Sequence, residues 1–243
     1  MFNLLSFILV LFPLIIIHEY AHLIVGKYLG AKPNKFAIGF GKPLFKKVRN
    51  GVEYSLRPFP LGGFVEFSTT QFPKIETNKE PLDSWKWIFI SLAGPISNFI
   101  VTYLIIFGLV FFGTETTFLA SMTKSSEMFI YIFQKYIELF SNIFSGEFLS
   151  SISGPVGIAK ASGEAVSGGV VSYFKTSASI SFALGFMNLV PLTVLDGGRA
   201  LISLFETVSR RKINEKMMIL TSNLSVALLF GLIIFSVYQD LSR

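Results

Sequence analysis

The stretch LIIIHEYAHLIVG, Leu14 to Gly26, sets two histidines and a glutamate inside an aliphatic run. Ionisable groups in apolar surroundings are expensive unless something pairs with them. Residues four apart share one face of a helix, so His18 and His22 point the same way, with Glu19 beside that face. Two such histidines can simply be packed inside a helical core and bonded to backbone groups. They can equally hold a metal ion.

Three features favour the ion. These are the only two histidines in the chain, their surroundings are otherwise aliphatic, and an acid suited to be a third ligand lies elsewhere. HExxH on a helix is the arrangement of a zinc metalloprotease, in which the histidines bind zinc and the glutamate handles the protons of a bound water. Zinc lowers the pKa of that water to about 7.

Composition widens the setting. Of 243 residues, 51% are hydrophobic, 15% are charged and 27 are phenylalanine. That is the profile of a membrane protein rather than a soluble domain. The absence of cysteine excludes disulfides, iron–sulfur clusters and thiolate zinc sites. The net charge of +6 comes from basic residues beside apolar runs, which fits cytoplasmic membrane loops and does not point to nucleic acid. The N-terminal run has no basic start and no small-residue cleavage site, so a retained helix is expected rather than a signal peptide.

These patterns predict an α-helical integral membrane protein of one domain, residues 1–243, with about four transmembrane helices. Expected spans are residues 2–26, 85–112, 177–195 and 217–237, each close to the roughly 20 residues a bilayer requires. Residues 35–67 read as a β-hairpin, with Asn50-Gly51 as its turn between LFKKVR and VEYSLRPF. Its apolar content predicts that this hairpin dips into the membrane. Phe129, Ile132, Phe133, Tyr136, Phe140 and Phe144 recur at helical spacing, so residues 127–144 read as an amphipathic surface helix, a fifth span being the alternative. Lysines and arginines crowd the connections after spans one and three, among them Lys32, Lys46, Lys74, Lys79, Arg210 and Arg211. The positive-inside rule then places both termini outside. In that orientation the histidine pair and Asp196 share a depth near the cytoplasmic face.

Asp196, in NLVPLTVLDGG (Asn188 to Gly198), is the only acid of the third span. Two histidines, one carboxylate and a water make an established catalytic zinc set. Pro191 should break the helix there, and Gly197-Gly198 should free the backbone. The alternative is a plain helix-end residue at the water interface.

Several motifs, in order, resemble one family. HEYAH, GFG at Gly39 to Gly41, PLGG at Pro60 to Gly63, AGPISN at Ala93 to Asn98, SGPVGIAK at Ser153 to Lys160 and NLVPLTVLDGG look like the site-2 intramembrane zinc metalloproteases. The branch that includes the regulator of sigma-E protease is the nearest in pattern. The resemblance implies zinc held by His18, His22 and Asp196, with Glu19 as general base. It also implies substrate contacts from Asn188 and from Gly62 and Gly63 on the sheet edge. Substrates would be transmembrane proteins such as anti-sigma factors or remnant signal peptides, cut in a bacterial inner membrane. One departure is clear: the 60 or so residues between the second and third spans are too few for the family's usual PDZ domain beside a surface helix. For Asn188 and Asn98 the alternative is helix–helix hydrogen bonding. A metal transporter and a catalytically silent scaffold are the rival functions.

Overall fold

The computed structural model describes residues 4–70, 80–114, 117–142 and 154–242. Lys74, Lys79, Phe144, Ser153 and the first residues of the first expected span lie outside them. The chain is mostly helical with a small sheet. Among the described residues, three helices are long and apolar enough to cross a membrane: Leu5–Tyr28, Ser84–Gly113 and Glu215–Ser242.

Its contacts gather into two compact units. One comprises Met1–Leu11, Asn98–Phe186 and Phe230–Arg243; the other comprises Phe12–Ser97 and Met187–Leu229. Helix α1 (Leu4–Tyr28) carries the HEYAH motif. Leu11, Ile15, His18 and His22 are all buried at helical spacing, while Ile17, Tyr20 and Ile24 are exposed. The histidines therefore continue the inward stripe of a helix that is apolar all round.

A four-stranded sheet follows, built from β1 (Pro33–Phe40), β2 (Phe45–Arg49), β3 (Val52–Leu56) and β4 (Phe59–Phe67), in the order β2-β3-β1-β4. β1 runs parallel to β3 and antiparallel to β4. The β2–β3 turn is Asn50-Gly51, with φ of 50° and 76°. Positive φ at both central residues matches the right-handed twist of the strands it joins. β4 is an edge strand, and Gly26 on α1 abuts the Phe67 ring at its end. Two short strands, β5 (Thr69–Thr70) and β6 (Glu80–Pro81), pair before helix α2 (Ser84–Gly113).

Helix α3 (Phe118–Ser141) begins well before the expected residue 127. Thr117 caps it, its side chain accepting the Ala120 amide, and the serine-rich first turns bury Ser121 and Ser125. The aromatic stripe of α3 meets protein: Phe129 and Phe133 lie against Phe99 of α2, and Tyr136 lies against Phe182 and Phe186 of α5. Helix α4 (Pro155–Ser167) precedes α5 (Gly169–Asn188). α5 packs closely on α2, with Ser181 donating to the Asn98 carbonyl and Thr102 to the Ala178 carbonyl.

The third expected span is shifted. α5 stops at Asn188, residues 189–195 are irregular, and Asp196 opens a new helix, α6 (Asp196–Ser209), instead of ending a span. Pro191 cannot donate in a helix and disfavours helical backbone at Val190, so the chain must break before it. The last helix is α7 (Glu215–Ser242).

The far end of α6 is tied down by Glu206, whose nearly inaccessible carboxylate accepts bonds from Ser84 Oγ (2.7 Å), Lys212 Nζ (2.9 Å) and the Ile213 amide (3.2 Å). Burial alone would raise its pKa, but these donors outweigh burial and hold it below the usual 4.5. A carboxylate with a depressed folded pKa stabilises fully above its unfolded pKa and loses that contribution as pH falls through the folded one. Glu206→Gln should cost about 1–3 kcal/mol at pH 7. The difference from wild type should shrink below pH 4.5. Thermal unfolding in detergent across this pH range checks it.

Candidate metal centre

The inward stripe of α1 presents His18 and His22 one turn apart, both buried. Asp196 reaches them from the first turn of α6 and does not cap its own helix. His18 Nε2 lies 3.1 Å from Asp196 Oδ2, His22 Nε2 lies 3.3 Å from the same oxygen, and the two ring nitrogens are 3.3 Å apart. Among the described residues, this is the one group of His, Asp or Glu side chains able to hold a metal ion.

The triangle fits zinc. Bonds of about 2.0–2.1 Å in a tetrahedron place neighbouring donors about 3.3 Å apart. The tautomer fits as well. His22 Nδ1 sits 2.6 Å from the Ile90 carbonyl, so Nδ1–H donates there and the Nε2 lone pair faces the cluster. The His18 ring has a corresponding hydrogen bond to the backbone of Gly94.

Both carbonyl partners belong to α2, near Pro95. That proline has no amide to offer Ser91, so the helical ladder is weakened in the turn that serves the histidines. Gly94 is where α2 comes closest to the imidazoles. A Cβ built there would lie 2.6 Å from both Cε1 and Nε2 of His18 and would also strike His22 Nε2. A carbon needs about 3.5 Å, so any side chain at 94 would occupy the space in front of the ring nitrogens.

Glu19 is buried beside the donors. β4 passes directly against it: a Cβ at Gly63 would lie 2.7 Å from Glu19 Cγ and 2.7 Å from the Ala37 carbonyl. Gly62 faces the other side of the strand, where a Cβ would meet the Phe40 ring at 3.0 Å. Asn188 closes α5, half-buried, and the residue after it touches the start of α6.

Gly197 and Gly198 have a different use from the one expected. Both are helical and neither has positive φ. Their missing side chains admit the backbone of Leu189 and Leu192, which folds back onto the first turn of α6. Close approach is what the LDGG glycines permit, not backbone freedom.

Sequence reasoning missed Gly94 and the Ile90 carbonyl. The glycine was visible within AGPISN, but nothing along the chain assigned it to the histidines. The Ile90 contact is a backbone group and has no signature.

The chain is 33% identical over 108 residues to the regulator of sigma E protease of Haemophilus influenzae, covering 44% of this chain and 24% of that protein. It is 23% identical to the metalloprotease MmpA of Caulobacter vibrioides, covering 99% of this chain and 95% of that protein. The MmpA alignment runs over 380 positions, more than the 243 residues here, so that relative carries additional sequence. Several relatives are matched over only about a quarter of their length, as with a Neisseria meningitidis protein at 26%. The profile of peptidase family M50 spans residues 6–232 and so takes in both the HEYAH helix and the LDGG turn whose side chains converge here; the chain belongs to that family.

Proposed function

We propose that the protein is a zinc-dependent endopeptidase that hydrolyses peptide bonds within transmembrane segments of single-span proteins. The observation that carries this reading is the triangle of His18, His22 and Asp196, with Glu19 of the same helix buried against the edge strand β4. Two histidines and one carboxylate are a catalytic zinc set, which leaves a fourth position for water or substrate. Zinc, when bound, supplies polarisation of a carbonyl and a lowered pKa for water.

The chain's own residues do the rest. A helical substrate hides its carbonyls in its own hydrogen bonds, so it must unwind first. The unwound segment adds to the edge of β4 that no described strand occupies, the strand-addition mode of peptide recognition. Gly63 lets β4 itself lie against Glu19, so a substrate strand paired to β4 beside Gly62 and Gly63 runs close to that carboxylate. Glu19 takes a proton from water and delivers it to the departing amine. Asn188 orients the substrate strand from the end of α5.

In the bilayer the three apolar helices are joined by α5 as a fourth span, and the sheet dips in beside α1. Basic residues after the first and third spans support both termini outside and the metal centre towards the cytoplasmic side of a bacterial inner membrane. The name of the Haemophilus relative supports substrates of the anti-sigma type; remnant signal peptides are the other class.

Cleavage of a reporter transmembrane helix by the full chain in nanodiscs should stop with a zinc chelator and return with added zinc. Turnover that persists in metal-free protein overturns the reading. Strand addition has its own check. Adjacent amides on a strand point to opposite sides, so of Phe64→Pro and Val65→Pro one removes a bond to β1 and the other an outward amide. The variant that keeps its stability and zinc should cleave about tenfold or more slowly, the cost of about 1.4 kcal/mol of lost pairing. If both variants cleave normally, the substrate does not pair with β4.

A further inference from the structure

Residues 189–195 carry the chain from α5 to Asp196 without regular structure, beside helices apolar enough for a membrane. Polar backbone in such a place must be satisfied within the protein. Two bonds are internal, Leu192 N to Val190 O and Leu195 N to Leu192 O at 2.7 and 2.8 Å, and Val190 N reaches back to Met187 O of α5 at 3.2 Å. Thr193 looks elsewhere. Its amide donates to Ser225 Oγ at 3.1 Å, and its hydroxyl lies 3.0 Å from Ser225 Oγ and 3.4 Å from Ser222 Oγ.

Ser225 stands out on its helix. The most apolar stretch of α7 is only 11% buried, and Leu224, Val226 and Leu228 are exposed. Ser225 is 5% exposed. Like Met218, Ser236 and Asp240, it is a buried residue on a helix that otherwise presents mostly aliphatic side chains outward, and its hydroxyl meets the loop. The loop also meets α6, where the Leu189 and Leu192 carbonyls press on Gly197 and Gly198. The loop is thus in contact with two helices, with Asp196 at its exit.

We propose that Ser225 is a positioning residue for the metal centre: through Thr193 it holds the 189–195 loop so that the Asp196 carboxylate meets His18 and His22. This rests on the zinc reading of that site. Groups that orient ligands from behind typically change metal affinity 10–100-fold when removed. α7 then has a share in metal binding although it carries no ligand.

The test uses the full chain in nanodiscs, with Ser225→Ala, Thr193→Val, the double variant and Asp196→Asn. Zinc affinity is measured by competition with a chelator, donor geometry by the visible spectrum of the cobalt form, and stability by the Tm of metal-free protein. Ser225→Ala should weaken zinc about tenfold and alter the cobalt spectrum, with little change in metal-free Tm. Thr193→Val keeps its shape and amide and should lose less. The double variant should lose no more than Ser225→Ala alone, because both act through one contact. Wild-type zinc affinity and cobalt spectrum in Ser225→Ala, or additive losses in the double variant, overturn the proposal provided Asp196→Asn loses zinc. Should Asp196→Asn itself bind zinc as wild type does, the reading of the metal centre fails first.

Discussion

Glu19→Gln should bind zinc as tightly as wild type and cleave a transmembrane reporter about a thousandfold more slowly, within the 10²–10⁴ range for loss of a general base. The amide has the shape of the carboxylate, so the buried position beside β4 is kept. It cannot accept the proton of water. Glu19 is not one of the three converging donors, whose distances involve only His18, His22 and Asp196. Zinc content and single-turnover cleavage, measured on one preparation, separate the two effects. Normal cleavage in Glu19→Gln would remove Glu19 as the base. Loss of zinc would make it a ligand.

The second large effect is expected at a residue with no chemistry of its own. Gly94→Ala should lose zinc binding by at least about a hundredfold, the upper end of what disturbing a ligand's support costs, and lose cleavage with it. The added methyl group would lie 2.6 Å from two atoms of the His18 ring. His18 cannot turn away without leaving its bond to the Gly94 backbone, nor His22 without leaving the Ile90 carbonyl. α2 cannot retreat without breaking both. Gly108, on the same helix, has no atom within 4 Å of an added Cβ, so Gly108→Ala is the matched control and should behave as wild type. Zinc titration of the two variants checks the contrast. Equal affinities would mean that α2 has room to yield.

Much of the site could be read along the chain because its chemistry is local. His18, Glu19 and His22 lie within one helical turn and a half, and the 3.6-residue period places both imidazoles on one side. The Asn50-Gly51 turn is equally local, since it depends on which residues tolerate positive φ. The end of α5 was less legible. Pro191 marked the break, but the helix stops at Asn188, before Val190, the residue that the proline keeps out of helical backbone. The start of α3 was missed because its first turns are serine-rich and their burial is a tertiary matter. SGPVGIAK stood out as a motif without a role. From Gly154 onward it has a structural one: the Gly157 amide donates to Asp240 Oδ2 at 2.8 Å, and Gly154 leaves room for that carboxylate.

By itself the sequence determined the helical, apolar character of the chain, the histidine pair at metal-ligand spacing with its neighbouring acid, and the hairpin turn. Each of these depends on residues a few positions apart and on backbone preferences that no distant contact is needed to express. Only the tertiary structure decided that Asp196, 178 positions from His18, closes the donor triangle from a fresh helix N-terminus. It also decided that Gly94 makes room for that triangle, that β4 lies against Glu19, and that Ser225 reaches the loop before Asp196. Those placements follow from how closely backbones approach, which is set by packing between segments far apart in the chain and leaves no periodic trace within any one of them.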